Sequence, residues 1–460
     1  MLPLGDTRMR STRLTSSALA AIAALLLTSA ASAQYTEVQV SKDNFGDTEY
    51  DWARDGIYCQ SCNFGEGNAR FNWTDHQGHL WIGHIDPTTA AFTPESGKAE
   101  LADTSAFWWD VFGNGPEWAF STQNGQVISQ LVYTRYPPGQ PATKDNAGAA
   151  FATPVQGGWT AAFFPGALGT VDAPMNSALP EASQCNRDPG ALTLYERVDS
   201  KNKALYWEQT SSAAGTAPNL TPFGAYANGI SERWVPCTHQ LVFIGYGLAT
   251  DGHEYDQVFW YDTDSNVVQQ LTKDPAAHKA SFMFQAPEFG DQYVFFTLAN
   301  DLTYQIYLQN GTAANGAPTF ELINSISSPD PEETVMTTPE PFINCTPQCQ
   351  TYIFTALAPA SPTGPSGNGL GVMNINPAAP LFEVLVTANS APLSHRADPE
   401  YFITSFGPIL YYDRSAVEDD ALGGDKSDRH QGHWYIDMLL GAPSGPCVGS
   451  SAEGGMMPGC

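Results

Sequence analysis

The sequence predicts an all-β fold, most specifically a β-propeller of seven four-stranded blades closed by a strand from the N-terminus. Short runs of alternating, aromatic and β-branched residues, bounded by Gly, Pro, Asn and Asp, fill the chain after residue 33. No long stretch of helical periodicity competes with them. These runs recur about every 40 to 60 residues, and a sheet unit of that size cannot bury its faces without similar neighbours.

The repeat is clearest at four Pro-Glu pairs, each followed through a short turn by a β-rich run. The pairs are Pro116-Glu117, Pro287-Glu288, Pro339-Glu340 and Pro399-Glu400, and the runs are QLVYTRY, QYVFFTL, QTYIFTAL and PILYYDR. A fifth copy starts near Pro236, and weaker copies start near Asp55 and Asp188. The last unit lacks a fourth strand. The run YTEVQVSKD, which begins at Tyr35, is placed to supply that strand and remove an open sheet edge.

Residues 1–33 carry the pattern of a secretory signal peptide. Arginines precede a short apolar run, and Ala31-Ser32-Ala33 forms a small-residue cleavage pattern. The apolar run is shorter than the roughly 20 residues that span a bilayer. We therefore predict an exported protein, secreted or periplasmic, with one propeller domain over residues 34–442 and a disulfide-closed tail over residues 443–460.

The chain is strongly acidic, with a formal net charge of −28 at pH 7. Attraction to phosphate backbones and anionic lipids depends on Lys and Arg, so neither nucleic acid nor a membrane surface is an expected partner. The same charge opposes a strongly anionic polysaccharide unless a bound cation or a local Arg cluster reverses the field. Metal cations are more natural ligands for a protein with this negative charge. We expect the protein to be a monomer.

All eight cysteines follow the signal peptide, and an oxidising compartment favours disulfides. Three pairs are close in sequence and a fourth is separated by about one repeat. They are Cys59 with Cys62, Cys345 with Cys349, Cys447 with Cys460, and Cys185 with Cys237. The sequence does not fix this connectivity. The pair Cys59 and Cys62 also fits a redox or metal motif, although no second metal-type pair accompanies it.

One repeat resembles a known blade motif. APEFGDQYVFFT, preceded by a W-Y-D-x-D-S run, resembles the P-x-F-S-P-D-G-x-x-I-x-F repeat of TolB-type and related WD40-like propellers. That group includes exported seven-bladed polysaccharide lyases such as the oligogalacturonate lyases. The resemblance implies the propeller fold and points to polysaccharide as a substrate. It is carried by a blade motif rather than an active-site motif, and the usual S-P-D-G is reduced here to forms such as F-G-D.

In propellers, the connections between second and third strands open on the same face as those entering the innermost strands. Long connections of this kind are predicted in units two, four, six and seven, and long loops on a rigid scaffold often bind ligands. We also place four carboxylates at the mouth of the channel on this face: Glu117, Glu288, Glu340 and Glu400. Two interpretations are open. They form a ring that holds a divalent cation or supplies acid and base, or each brackets its blade by accepting backbone hydrogen bonds.

A tetrad, His-Gln-Gly-His, occurs twice, at residues 76–79 and 430–433, in the first and last units. Ring closure makes these units neighbours. Histidine is a common metal ligand and general base, and acidic residues between 418 and 428 add oxygen ligands. Because His residues three apart on a strand point to opposite faces, we expect one of each tetrad at the site. His79 and His433 are assigned as catalytic, and His76 and His430 as metal ligands. The alternative is a turn at the start of a strand, with Gly at a bulge.

Two Tyr and Arg pairs end second strands toward the same face. They are Arg135 with Tyr136 and Tyr412 with Arg414, and in a lyase such a pair supplies an acid and a charge neutraliser. Strand-end Arg and Tyr are also common without such a role. An acidic loop clusters Asp251, His253, Glu254 and Asp256 and offers oxygen ligands for calcium. Its spacing fits no EF-hand, and the alternative is a solvated acidic loop.

Two functions from different classes follow. The first is a secreted carbohydrate-active enzyme, a polysaccharide lyase or glycoside hydrolase, acting on a polysaccharide or oligosaccharide at the loop-rich face with assistance from calcium, zinc or manganese. Its aromatic content, 11 Trp, 19 Tyr and 24 Phe, suits sugar stacking but also suits a propeller core. The second is a non-catalytic TolB-like propeller that binds a protein or glycan. No serine elbow, Walker loop or dinucleotide fingerprint is present, so no organic cofactor is indicated.

Overall fold

The structure is a computed structural model. It describes residues 35–41, 46–50, 70–75, 77–86, 89–91, 99–106, 116–123, 126–141, 146–164, 176–182, 192–199, 202–210, 232–236, 238–360, 367–390, 392–417 and 430–442. The chain forms two units, residues 1–36 and 37–460, and all strands given below lie in the second unit. The predicted signal peptide, His76 and residues 443–460 lie outside the described residues, as do Cys59, Cys62, Cys185 and Cys237.

The described strands form seven antiparallel sheets, which we number sheets 1 to 7 in chain order. Sheet 1 contains β2 (Gly46–Tyr50), β3 (Arg70–Thr74), β4 (Leu80–His84) and β5 (Glu100–Asp103). Sheet 2 contains β6 (Glu117–Gln123), β7 (Gln126–Arg135), β8 (Gly148–Val155) and β9 (Gly158–Phe163). Sheet 3 contains β10 (Asn176–Ala182), β11 (Leu192–Asp199) and β12 (Asn202–Gln209).

The other four sheets each contain four strands. Sheet 4 contains β13 (Arg233–Trp234), β14 (Gln240–Leu248), β15 (Glu254–Asp262) and β16 (Val267–Gln270). Sheet 5 contains β17 (His278–Ala286), β18 (Gln292–Ala299), β19 (Thr303–Thr312) and β20 (Pro318–Ser327). Sheet 6 contains β21 (Val335–Cys345), β22 (Cys349–Ala358), β23 (Gly369–Asn374) and β24 (Phe382–Val386). Sheet 7 contains β25 (Ser394–Thr404), β26 (Gly407–Ala416), β27 (His430–Asp437) and β1 (Glu37–Ser41).

Within each sheet, strands that follow one another along the chain are hydrogen-bonded neighbours, except that β1 pairs with β27. The first strand of each sheet contacts the first strand of the next, from β2 to β6 and on through β10, β13, β17 and β21 to β25, and β25 contacts β2. This arrangement of antiparallel meander sheets is the propeller type. The described residues contain almost no helix. The predicted all-β class is therefore confirmed.

Strand alternation sends side chains to both faces of a sheet, so each face packs against a neighbouring sheet. Sheets 1 and 2 bury Leu80, Ile82 and Trp118 together. Sheets 4 and 5 bury Trp260 and Phe295 in the same way. The apolar core of the described chain is thus distributed between sheets, which fixes the ends of neighbouring strands relative to one another.

The predicted unit starts were wrong in register, because Pro-Glu does not mark one position. Pro287 follows the first strand of sheet 5, and Pro339 and Pro399 lie inside the first strands of sheets 6 and 7. At these prolines, the pairing of β21 with β22 and of β25 with β26 shifts by one residue, which is a β-bulge. Proline lacks the N–H that a ladder needs and is tolerated at such bulges. In sheets 1 and 3 the first strand likewise precedes the predicted starts at Asp55 and Asp188.

A disulfide joins Cys345 and Cys349, as predicted, and closes the turn between β21 and β22. The other predicted disulfide cysteines lie outside the described residues and their pairing stays a prediction. Among the described residues, no helix has both the length and the apolar character that crossing a membrane requires.

Candidate functional site

The predicted catalytic side chains lie where the second strand of a sheet ends and the third begins. This connection spans residues 136–147 in sheet 2 and residues 417–429 in sheet 7, so both are long. In sheet 4 the expected long loop is instead a five-residue hairpin turn, residues 249–253, because most of GLATDGHEYDQ belongs to the paired strands β14 and β15. The predicted catalytic residues lie in or next to strands of sheets 1, 2 and 7.

In sheet 1, the turn between β3 and β4 is organised by Asp75. One carboxylate oxygen accepts the backbone N–H groups of Gln77, at 2.8 Å, and His79, at 3.0 Å. The other oxygen lies 2.9 Å from His79 Nδ1 and accepts the Trp81 indole N–H at 2.9 Å. Burial raises the pKa of Asp75, but the hydrogen bonds from Trp81, His79 and Gln77 lower it by more, so its pKa lies below the ordinary value.

This arrangement orients the His79 imidazole through Nδ1. The His79 side chain is 28% exposed. Holding one ring nitrogen by a carboxylate sets the tautomer and leaves Nε2 for another partner, which is the arrangement used by catalytic and metal-binding histidines. The same contacts also fit the alternative interpretation, in which Asp75 only stabilises the turn before β4. The dyad of Asp75 and His79 is a part-exposed element of the predicted site.

Tyr136, which directly follows β7 of sheet 2, lies against this turn. A Cβ atom on Gly78 would stand 2.7 Å from the Tyr136 hydroxyl oxygen, and Gly78 has a φ of +78°. Glycine is required for both reasons. The Ala106 N–H donates to the Gly78 carbonyl at 2.8 Å, and the Tyr136 N–H donates to the Ser105 carbonyl at 2.9 Å. The structure thus brings the turn before His79 and the Tyr136 side chain together, although they belong to different sheets.

The Arg135 guanidinium, which was predicted to neutralise charge on a substrate, is instead paired with a carboxylate of the protein itself. Its Nε donates to Asp103 Oδ2 at 2.6 Å and its Nη2 donates to Asp103 Oδ1 at 3.3 Å. The Tyr133 hydroxyl donates to Asp103 Oδ2 at 2.6 Å, and burial raises the pKa of Tyr133 well above its ordinary value. All three side chains are buried. We call Asp103, Tyr133 and Arg135 the Asp103 cluster; it joins sheet 1 to sheet 2.

Tyr412 and Arg414, the second predicted pair, also meet a carboxylate. The Tyr412 hydroxyl donates to Glu37 Oε1 at 2.7 Å, and Arg414 Nη1 donates to Glu37 Oε2 at 3.4 Å. Arg396 completes the group, with Nε donating to Glu37 Oε1 at 2.8 Å and Nη2 to Glu37 Oε2 at 3.0 Å. We call Glu37, Arg396, Tyr412 and Arg414 the Glu37 cluster. It ties strand β1 to β25 and β26.

The remaining donors of this cluster are also used. Arg414 Nε donates to the Ser394 hydroxyl at 2.8 Å, and its guanidinium carbon lies 4.6 Å from the centre of the Trp434 ring. Arg396 Nη1 donates to the Asn368 carbonyl at 2.6 Å. Burial raises the pKa of Glu37, but hydrogen bonds from Arg396 and Tyr412 and the charges of both arginines lower it by more. The net pKa lies below the ordinary glutamate value.

The second tetrad differs from the first in its surroundings. His433 is 0% exposed, and its Nδ1 lies 2.7 Å from Asp413 Oδ1. Its ring stacks on Tyr411, with centroids 5.8 Å apart and an interplanar angle of 7°. His430 begins β27, where its backbone pairs with Ser415. His79 is therefore part-exposed, whereas His433 is buried. That the two imidazoles converge on one site stays a prediction.

The prediction that Glu288 shares the position of the other Pro-Glu carboxylates was wrong. Glu288 lies in a short 3-10 turn after β17, at the opposite end of the sheet. Its Oε1 accepts the Thr351 N–H and its Oε2 accepts the Thr351 hydroxyl, both at 2.9 Å. Burial raises the pKa of Glu288, despite hydrogen bonds that lower it. For this residue the contacts favour the bracketing interpretation, since they join sheet 5 to sheet 6.

The other three predicted carboxylates do lie on first strands. Glu117 begins β6, and Glu340 and Glu400 follow the bulges in β21 and β25. Among the residues that the structure describes, no group of three or more His, Cys, Asp or Glu side chains converges as a metal site. His76 and residues 418–429 lie outside that part of the chain. The metal site therefore stays a prediction.

Sequence reasoning missed the acidic partners of these residues. Asp75 stands four residues before His79, so this pairing had a local signal. Asp413 faces His433 across a strand pair, which only a correct register reveals. Glu37 and Arg396 are 359 positions apart, and no pattern in the chain connects them.

We expect the free energy of unfolding to fall in mild acid because of Glu37 and Asp75. A lowered pKa means that each carboxylate is favoured in the folded state, so its contribution is complete above the ordinary carboxyl pKa of about 4 and is lost as the pH falls toward the lowered value. Urea unfolding at several values between about pH 3 and pH 6 measures this slope. Glu37→Gln should flatten it, whereas Glu321→Gln, on an exposed position of β20, should not. Equal slopes for wild type and Glu37→Gln would contradict the assignment.

No family model and no curated protein matches the sequence. The structure is similar to the Dos1 propeller, with 11% identity, a TM-score of 0.43, and coverage of 89% of this chain and 97% of that one. It is also similar to Trypanosoma rangeli sialidase in complex with sialic acid, with 8% identity, a TM-score of 0.40, and coverage of 75% and 56%.

A third similar structure comes from a study of two prolyl endopeptidases, with 9% identity and a TM-score of 0.38. The match covers 81% of this chain and 48% of that one, so this chain spans about half the length of the endopeptidase. At these scores the similarities carry no argument about activity, and the fold assignment depends on the strands themselves. The likeness to polysaccharide lyases, implied by the blade motif, stays a prediction.

Proposed function

We propose that this protein is an exported, non-catalytic propeller that binds a protein or glycan at its loop-rich face, and that its seven sheets are the blades of a ring closed by β1. The contacts among first strands, which return from β25 to β2, support the ring, as does the pairing of β1 with β27. In this ring β1 supplies the fourth strand of sheet 7 and covers the edge of β27. The predicted signal peptide and the Cys345–Cys349 disulfide support export.

The burial of the predicted catalytic side chains carries this proposal. Arg135, Arg414, Tyr412 and His433 are all at most 9% exposed. Each is bound by a carboxylate of the chain: Asp103 binds Arg135, Glu37 binds both Arg414 and Tyr412, and Asp413 binds His433. A catalytic acid or charge neutraliser must reach substrate, and these groups are used to join strands and sheets instead. Their presence at one end of the sheets stiffens the scaffold beneath the long connections, which is what a binding face needs.

The chemistry of the chain limits the partner. The net charge of −28 opposes nucleic acid, anionic lipid and strongly anionic polysaccharide. A neutral glycan or a protein with a basic surface fits best. We propose a monomeric scaffold, since β1 covers the edge of β27 and no second chain is needed for that strand.

A second candidate is favoured by one observation. The dyad of Asp75 and His79 is part-exposed, with the Tyr136 hydroxyl against the neighbouring Gly78. An oriented imidazole and a phenol are the groups that a lyase or glycoside hydrolase requires for proton transfer. In this role His79 would act as base or acid through Nε2, with metal assistance from His76 and His430 as a further part of the proposal.

A turnover assay decides between the two candidates. Mature protein is incubated with neutral and acidic polysaccharides, with and without chelator, and reducing ends and unsaturated uronates are measured. The same polymers are tested for binding on an array. We expect saturable binding without turnover. His79→Ala and His239→Ala form a matched pair, because His239 Nδ1 also lies close to an aspartate, at 2.8 Å from Asp264 Oδ1, but between β13 and β14.

Turnover that falls about 100-fold or more in His79→Ala and is unchanged in His239→Ala would establish the enzyme and reject the binding scaffold. Turnover lost on chelation would add the metal. Neither binding nor turnover on any glycan would leave a protein partner as the only form of the proposal, and the peptide experiment below tests that form directly.

A further inference from the structure

The hairpin of β14 and β15 extends beyond its neighbours in sheet 4. Its strands pair along their full length, from Gln240 with Asp262 to Leu248 with Glu254. Within the described chain, β13 pairs with Leu241 and Val242, and β16 pairs only from Phe259 onward. The half of the hairpin nearest its turn is therefore a two-stranded projection on the same face as the long connections.

One side of this projection is covered by the chain itself. A Cβ atom on Gly247 would stand 2.8 Å from the side-chain amide of Gln270, so that position is closed. Gln257 is 0% exposed, and its Nε2 donates to the Ala276 carbonyl at 2.9 Å and to the Asp274 carbonyl at 3.2 Å. The segment after β16 thus packs on this side and holds the hairpin in place.

On the other side, two apolar side chains of β14 are exposed. Tyr246 is 53% exposed and Leu248 is 60% exposed. They continue the row of Val242 and Ile244, which are buried between sheets 4 and 5. Alternation along β14 therefore carries an apolar row out of the core and into solvent. Exposed aromatic and aliphatic side chains in a row on a fixed strand are typical of binding surfaces.

Carboxylates stand directly across from this row. Asp256 pairs with Tyr246, and Glu254 pairs with Leu248. Asp256 Oδ1 is buried and has no hydrogen-bond partner. At the turn, Asp251 accepts the Tyr255 hydroxyl at 2.9 Å, which fixes the tip. The surface formed by Tyr246, Leu248, Glu254 and Asp256, which we call the hairpin face, therefore combines apolar area with negative charge in a fixed geometry.

We propose that the hairpin face docks a segment of a partner protein that carries apolar and basic side chains on the same side. Leucine-like groups cover Tyr246 and Leu248, and arginine or lysine groups pair with Glu254 and Asp256 across the strand. An acidic partner instead brings like charges against Glu254 and Asp256, which opposes binding. This inference depends on the proposed binding function and names its surface and partner chemistry.

The test uses the mature protein and a labelled extended peptide, repeating Leu-Ser-Arg-Ser, whose alternation places leucine and arginine on one side. Binding is measured by fluorescence anisotropy at low and moderate salt. We expect saturable binding that weakens as salt rises, and at least a tenfold loss of affinity in the double variant Tyr246→Ser with Leu248→Ser. Glu254→Gln with Asp256→Asn should cause a similar loss. A peptide with glutamate in place of arginine should not bind.

The matched control is Leu322→Ser, because Leu322 is also a strand leucine, 50% exposed, on β20 of sheet 5. It should leave the affinity unchanged. Circular dichroism of each variant verifies that the fold is kept. Equal binding by wild type and the Tyr246 and Leu248 double variant would overturn the hairpin face while leaving the proposed binding function intact. No binding of this peptide would overturn the hairpin face as well, and glycan binding on the array would then still support the scaffold.

Discussion

Glu37→Ala is expected to lower the free energy of unfolding by about 3 kcal/mol, because it leaves two buried arginines without their counter-ion. The Arg396 and Arg414 side chains are 0% and 6% exposed, and both donate to the Glu37 carboxylate. The Tyr412 hydroxyl loses its acceptor at the same time. Glu37 is 16% exposed, so water recovers part of the loss. The estimate is therefore at the lower end of the range for a broken buried ion pair.

Urea unfolding followed by fluorescence measures this change. Glu321→Ala, at an exposed position on β20, is the control and should change the free energy of unfolding by less than about 0.5 kcal/mol. Tyr412→Phe removes one hydrogen bond and should cost about 1 kcal/mol. A loss below about 1 kcal/mol for Glu37→Ala would mean that β1 is held by its backbone ladder with β27 alone.

The location of this cluster gives Glu37→Ala a second consequence. Glu37 is on β1, the first described strand, and its partners lie on β25 and β26 near the end of the chain. The variant therefore weakens the attachment of the first described strand to the last sheet. We therefore expect limited proteolysis of Glu37→Ala to cleave first near β1, before the other sheets are attacked.

The strands were largely predictable from local sequence. Period-two alternation and turn residues depend only on neighbouring positions, and for this reason QLVFIGY and QYVFFTL were correctly assigned as strands β14 and β18. The short loop between Cys345 and Cys349 made their disulfide predictable in the same way. The pairing of YTEVQVSKD with the last sheet followed from the rule that sheet edges are covered.

The register of the units was not predictable, because proline has more than one acceptable place in a strand. It occurs before a strand, at a turn or at a bulge, and this chain uses all three at Pro116, Pro287 and Pro339. A repeated dipeptide therefore indicated a repeat without giving its phase. Pro180-Glu181, inside the register shift of β10, carries the same signal and was overlooked.

The roles of the polar residues were even harder to predict from the sequence. Arg135, Arg414 and His433 are residue types that serve both catalysis and buried pairing, and only the location of the partner separates the two. Their partners are Asp103, Glu37 and Asp413, which are 32, 377 and 20 positions away. Charge patterning along the chain gives no sign of such pairs, because each is created by the contact of separate strands or sheets.

Asp103→Ala is expected to cost about 3 kcal/mol, for a reason similar to that for Glu37 but at the contact of sheets 1 and 2. The substitution leaves the Arg135 guanidinium, 11% exposed, without a counter-ion and the Tyr133 hydroxyl without an acceptor. The Thr104 backbone N–H also loses its acceptor, Asp103 Oδ1, at 2.8 Å. Urea unfolding measures the loss.

A double-mutant cycle separates an unpaired charge from a simple loss of packing. Asp103→Leu with Arg135→Met replaces the ion pair by apolar groups, and such replacements are often neutral because neither charge is left alone in the interior. We expect the double variant to be at least about 2 kcal/mol more stable than Asp103→Leu alone. If the losses in free energy of unfolding for the two single variants simply add, then Asp103 does not stabilise Arg135. The buried Arg135 would then need another explanation, such as a bound ligand, and it would again be a candidate binding residue beside Tyr136.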